Sequence, residues 1–165
     1  MTKRRAMFGI FAIIVMVGSL MFLVYYSLGN ATTSGSAANL GDAPLPSELR
    51  SLPLDGKVDY AIVQQTRGTT YFLAGHMSGN NLQTFCTTLG IGRFDTSPGI
   101  FDNDPVLEAN GAIVKDTFRL RCASAGYGFE GPCKGRSDLI VRFSFCRELD
   151  RVVIRATYLR TAGGK

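Results

Sequence analysis

Apolar and polar positions follow three successive regimes along the chain. Residues 7–28 carry no charged side chain and are nearly all apolar. A helix over that run reaches roughly 33 Å at about 1.5 Å per residue, enough to cross a bilayer's hydrocarbon core. Secretory signal cores run about 7–15 residues, so the length argues for an uncleaved anchor rather than a removed leader. Residues 29–57 are dominated by Gly, Ser, Ala, Asn and Pro. That composition predicts a flexible linker, stiffened toward its end by Pro44, Pro46 and Pro53.

Past the linker, apolar residues take the period of strands, then of a helix, then of strands again. Residues 58–64 and 70–77 read as a hairpin around Arg67 and Gly68, with Ile62 opposite Leu73 and Gln64 opposite Tyr71. Ser78 suits an N-cap, and Leu82, Phe85, Cys86 and Leu89 form one helical stripe ended by Gly90. Residues 93–111 lack a period. Strands are expected over 113–122, 138–146 and 151–159. A turn at Glu148 and Leu149 pairs Phe145 with Val152, Phe143 with Ile154, Val141 with Ala156 and Leu139 with Tyr158. Each of these pairs is apolar, which fixes the register. The same test sets Phe118 against Phe143, Leu120 against Val141 and Cys122 against Leu139.

The expected architecture is α+β: an N-terminal single transmembrane helix, a flexible linker, then a small antiparallel sheet in the order β-β-α-β-β-β with one helix packed on it. The boundaries are a cytoplasmic stub at 1–6, the anchor at 7–28, the linker at 29–57, an extracytoplasmic domain at 58–160 and a disordered tail at 161–165.

Charge adds an orientation. Lys3, Arg4 and Arg5 precede the apolar run, and uncharged residues follow it. The positive-inside rule keeps the basic end in the cytoplasm and sends the rest across the membrane, into a periplasm or an equivalent space. The net charge of +5 includes those three residues, so the exported part is mildly basic and nucleic acid is not an expected partner.

The 4 cysteines all lie beyond the run, as suits an oxidising compartment. None is spaced as CxxC, which disfavours zinc and thioredoxin-like chemistry. In the expected sheet Cys122 and Cys146 sit more than about 20 Å apart, beyond the roughly 7 Å Cα separation that a disulfide tolerates. The expected bridge is therefore Cys122 to Cys133. A second, Cys86 to Cys146, needs a bulge near Cys146; without it both are free thiols.

Candidate binding residues come from the same register. Arg119, Arg142 and Arg155 would form a row across three strands, a like-charge arrangement offset by solvent, by nearby carboxylates or by an anionic ligand. Tyr127 and Phe129 lie on a Gly-rich loop and offer rigid aromatic contacts. His76 falls opposite Asp59, a pair that can orient an imidazole for base catalysis. Asp95, Asp102, Asn103, Asp104 and Glu108 are oxygen donors, but their spacing departs from a calcium loop and suits ordinary turns.

The functional expectation is a non-enzymatic, membrane-anchored binding or assembly module of the cell envelope, without cofactor or metal. Its partners would be the lipid bilayer, through residues 7–28, and an anionic envelope component or a protein. The alternatives are an exported hydrolase using His76 and Asp59, and a purely structural subunit of a membrane complex.

Overall fold

The structure, a computed structural model, describes residues 15–19, 31–98, 106, 117–123 and 125–160. Among these, the chain is mostly one antiparallel sheet of 7 strands. They are β1 (Ala31–Ala37), β2 (Asp55–Gln65), β3 (Gly68–His76), β4 (Asp95–Pro98), β5 (Ala125–Cys133), β6 (Arg136–Cys146) and β7 (Arg151–Leu159). Their order across the sheet is β1-β2-β3-β7-β6-β5-β4. Helix is scarce: single turns at Leu40–Asp42 and Gly79–Asn81, α1 (Ser47–Arg50), α2 (Leu82–Thr88) and the short stretch 15–19.

This corrects the α+β expectation, and the largest error lies in residues 29–57. The supposed linker supplies an edge strand and a packing layer. Thr32 and Thr33 favour extended backbone, and β1 pairs along β2 from Ala31 opposite Gln64 to Ala37 opposite Val58. Gly35 lies opposite Tyr60, and a Cβ there would stand 2.7 Å from the Tyr60 hydroxyl. The glycine is what lets the phenol ring cross that strand. Farther on, Leu40, Ala43, Leu45, Leu49 and Leu52 are buried against the sheet. The prolines limit this stretch to isolated helical turns without keeping its leucines out of the core.

The transmembrane helix of the expected fold is not found: no helix among the described residues is long and apolar enough to cross a membrane. Of the run 7–28, residues 15–19 are described and helical; the remainder, like the stub at 1–6 and the tail at 161–165, lies outside the described residues.

The β6–β7 hairpin has the register its apolar pairs dictate, with Phe145 opposite Val152, Phe143 opposite Ile154, Val141 opposite Ala156 and Leu139 opposite Tyr158. The β2–β3 hairpin is slipped by two residues. Ile62 faces Tyr71 and Tyr60 faces Leu73, with Thr66 and Arg67 in the turn. A slip of two leaves every side chain on its own face. Gly68 belongs to the strand because the Tyr158 carbonyl of β7 passes where its Cβ would be.

The expected strand at 113–122 does not form among its described residues beyond an isolated bridge at Leu120; β5 takes the place beside β6, with Phe129 opposite Phe143 and Gly131 opposite Val141. Residues 117–122 instead cross the other face of the sheet. Both faces are therefore covered. On one, α2 and residues 40–54 bury Val58, Leu73, Phe143, Phe145, Val152 and Ile154. On the other, Phe118 and Leu120 pack over Ala61, Val63, Phe72 and Val153. The Phe118 and Phe72 ring centroids lie 5.8 Å apart.

Candidate functional site

The helical stripe places α2. Leu82, Phe85, Cys86 and Leu89 are buried, and the Phe85 ring meets Phe143 edge-on at 5.0 Å. Before it, the Ser78 hydroxyl accepts a bond from the Asn80 amide at 3.4 Å. The Met77 amide donates to the Asp150 carbonyl at 2.8 Å, tying the end of β3 to the β6–β7 turn. Asp150 has φ 44, a left-handed conformation that Asp tolerates better than bulkier residues do.

Between that turn, the start of α2 and the β4–β5 end of the sheet opens a cleft of about 490 Å³, lined by Gly79, Asn80, Leu82, Phe94, Tyr127, Phe145, Arg147 and Asp150. Its floor is aromatic. Tyr127 stacks on Phe145 with centroids 6.3 Å apart, and Phe94 meets Tyr127 edge-on at 5.7 Å. Asn80, Arg147 and Asp150 are exposed at its mouth. This volume falls within the usual range of small-ligand pockets. A guanidinium, a carboxylate and an amide above stacked rings can orient a ligand with an apolar body and polar ends.

Of the residues singled out from sequence, Tyr127 belongs to this cleft. It and Phe129 are half-buried strand residues packed on the core rather than tips of an exposed loop. Phe94, Phe145, Leu82, Asn80, Arg147 and Asp150 were not anticipated as site residues. Phe145 reads as core and Arg147 to Asp150 as a turn, so the signal was present for the elements but not for the space between them.

The arginine row is broken. Arg142 and Arg155 do stand opposite each other on β6 and β7. Arg119 is on the covering segment instead, because the described residues around it, 117–122, form no strand beside β6. A carboxylate bridges the remaining pair: Arg155 Nη2 donates to Glu130 Oε1 at 3.1 Å, and Arg142 Nε lies 3.8 Å from Glu130 Oε2. Arg142 and Glu130 also line a smaller depression of about 230 Å³ with Asp95, Phe129 and Ser144.

The His76–Asp59 pair does not form either. The two-residue slip sets Asp59 opposite Ala74, while His76 stands opposite Asp55 and Arg151. Asp59 accepts a hydrogen bond from the Ser36 hydroxyl and pairs with Lys57 at 3.4 Å. Asp95 is exposed on β4; Asp102, Asn103, Asp104 and Glu108 lie outside the described residues.

A polar clamp fastens residues 40–54 to the sheet. Arg136 holds Asp138 through two bonds of 2.8 and 2.9 Å and reaches Glu48 at 2.6 Å. The Tyr158 hydroxyl donates to the second Glu48 oxygen at 2.9 Å. The Arg136 and Tyr158 bonds hold the Glu48 carboxyl below its ordinary value, and Arg136 does the same to Asp138. Burial, then the bond to Glu48, raises the Tyr158 phenol.

The disulfide joins Cys122 to Cys146 with Cα atoms 5.6 Å apart, and Cys86 and Cys133 are buried free thiols. Both expected bridges are thus corrected. Exclusion of Cys122 from Cys146 rested on a strand at 113–122. Once that segment crosses the outer face, Cys122 comes directly over the end of β6. The Glu148 carboxylate lies beside these two sulfurs, but their bond removes them as metal ligands. No known protein family, curated protein or solved structure matches the chain.

Proposed function

We propose that the chain is a membrane-tethered binding module of the cell envelope, with the aromatic cleft over Tyr127 as its contact site. The cleft carries the reading. Stacked rings form a rigid apolar seat at low conformational cost, and Arg147 and Asp150 at the mouth select for polar groups beside whatever enters. The occupant that fits is an apolar or aromatic side chain of a partner protein, flanked by a carboxylate or amine. Tethering is supported by the charge-free run 7–28 behind Lys3, Arg4 and Arg5, an order that fits an N-terminus in the cytoplasm and the sheet outside. A disulfide in a domain of this size suits that location.

A photo-crosslinking side chain at Asn80, on the mouth of the cleft, tests the contact against one at Lys134, on the β5–β6 turn. In intact membranes the Asn80 probe captures a partner that the Lys134 probe does not. Tyr127→Ala in the same chain reduces that yield about tenfold, the loss expected when an aromatic anchor worth roughly 1.4 kcal/mol is cut away. Equal capture from both positions, or a yield indifferent to Tyr127→Ala, removes the cleft as the contact site.

A further inference from the structure

The two free thiols belong to the same buried cluster. Helix α2 ends in a left-handed cap in which Gly90, at φ 68, donates to the Thr87 carbonyl at 3.0 Å and Ile91 donates to the Cys86 carbonyl at 2.8 Å. Cys86 therefore stands on the last turn, and the chain past it folds back over that turn. The Gly90 carbonyl in turn accepts from the Lys134 amide at 2.9 Å, so the residue after Cys133 is bonded to the cap of the helix that carries Cys86. A Cβ at Gly90 would lie 3.9 Å from the Cys133 Cβ. Cys86 lies four residues before Gly90, and its carbonyl is bonded to Ile91, the residue after that glycine. With Cys122 and Cys146 already joined, each of these thiols has the other as its remaining cysteine.

We propose that Cys86 and Cys133 form a second disulfide, which locks α2 to the β5–β6 hairpin. The bridge requires Cβ atoms about 3.5–4.5 Å apart, so the helix end moves inward as the bond forms, and rotation about the two Cα–Cβ bonds aligns the sulfurs. In the reaction each thiol loses a proton. One thiolate attacks a low-molecular-weight disulfide such as glutathione disulfide, forms a mixed disulfide and expels one glutathione thiolate. The second cysteine thiolate then attacks the mixed disulfide, forms the Cys86–Cys133 bond and expels the other. Two electrons and two protons pass to the small disulfide, which leaves as two thiols. Burial pushes the Cys86 thiol up to about 11 and raises the Cys133 thiol as well. Thiolate is scarce once the core has closed, so the bond forms while the helix is still docking. Its product fixes the helix whose Leu82 lines the cleft.

The inference is independent of where the protein resides and is tested on the full chain, refolded in detergent from the reduced state with a glutathione redox buffer. Free thiols are counted in denaturant after trapping, and disulfide-linked peptides are mapped by mass spectrometry. The expected wild type has no free thiol and yields a Cys86–Cys133 peptide pair beside Cys122–Cys146. Cys86→Ala and Cys133→Ala each expose one thiol, and the double variant none. Counting in denaturant makes the result independent of how well a variant packs. A wild type with Cys122 and Cys146 linked but Cys86 and Cys133 both alkylated overturns the proposal, as does a map joining either to another cysteine.

Discussion

Glu48 is the residue at which a segment that reads as linker becomes part of the fold. Its two oxygens are taken by Arg136 and by the Tyr158 hydroxyl, and both bonds favour the ionised carboxylate. A carboxyl whose folded value lies below its ordinary 4.5 stabilises the fold above that pH, and the contribution is lost as pH falls through the folded value. Asp138, also lowered, acts in the same direction. Glu48→Gln is therefore expected to lower the melting temperature by a few degrees at neutral pH. The gap should close as the pH is taken below the ordinary 4.5 and through the lower folded value. Melting curves at a series of pH values check this, and parallel curves for the two proteins over the whole range would contradict it. The pairing was not legible from sequence. Arg136 and Asp138, two apart, fall on one side of a strand as any i, i+2 pair does, but nothing near them points to a carboxylate that arrives from 88 residues earlier.

Among elements, the hairpin β6–β7 and the stripe of α2 were readable because each is fixed by local periodicity. Phe143 with Ile154 and Phe85 with Leu89 need no distant information. The strand β1 and the layer at 40–54 were not readable, since their partners are nonlocal and their composition is that of a linker. Leu40, Leu45, Leu49 and Leu52 were the overlooked signal. The β2–β3 slip shows a different limit: turn chemistry placed Gly68 in the turn, whereas the approach of the Tyr158 carbonyl places it in the strand. With it went the His76–Asp59 pair. The element-scale test is Leu49→Ala. Leu49 is 0% exposed, so the truncation should cost about 2–5 kcal/mol in denaturant unfolding. A cost below about 0.5 kcal/mol, the level of an ordinary surface substitution, would return residues 40–54 to the status of a tether.

At the scale of the whole molecule the sheet is a middle layer, and its two coverings are fastened by different means. Residues 40–54 and α2 are held by burial and by the Glu48 clamp. The segment at 117–122 is held by the Cys122–Cys146 bond and by Arg151, which donates to the Thr117 carbonyl at 2.8 Å. Replacing both Cys122 and Cys146 with Ser should lower stability by roughly 3 kcal/mol, the loop-closure estimate for a separation of 24 residues. Thermolysin should then cut near Phe118 before the β6–β7 hairpin is lost. Unchanged stability and protection would mean that packing of Phe118 on Phe72 suffices. The strand that begins at Ala31 carries a further consequence. Under the proposed anchoring of residues 7–28, only residues 29–30 separate the bilayer run from the first strand, a span of at most about 10 Å. Such a mounting is short. Under that anchoring, the domain would stay within its own length of the bilayer rather than sweep the width of an envelope in search of a distant target. A partner would, under that anchoring, be sought among neighbours in the same membrane or molecules that graze its surface.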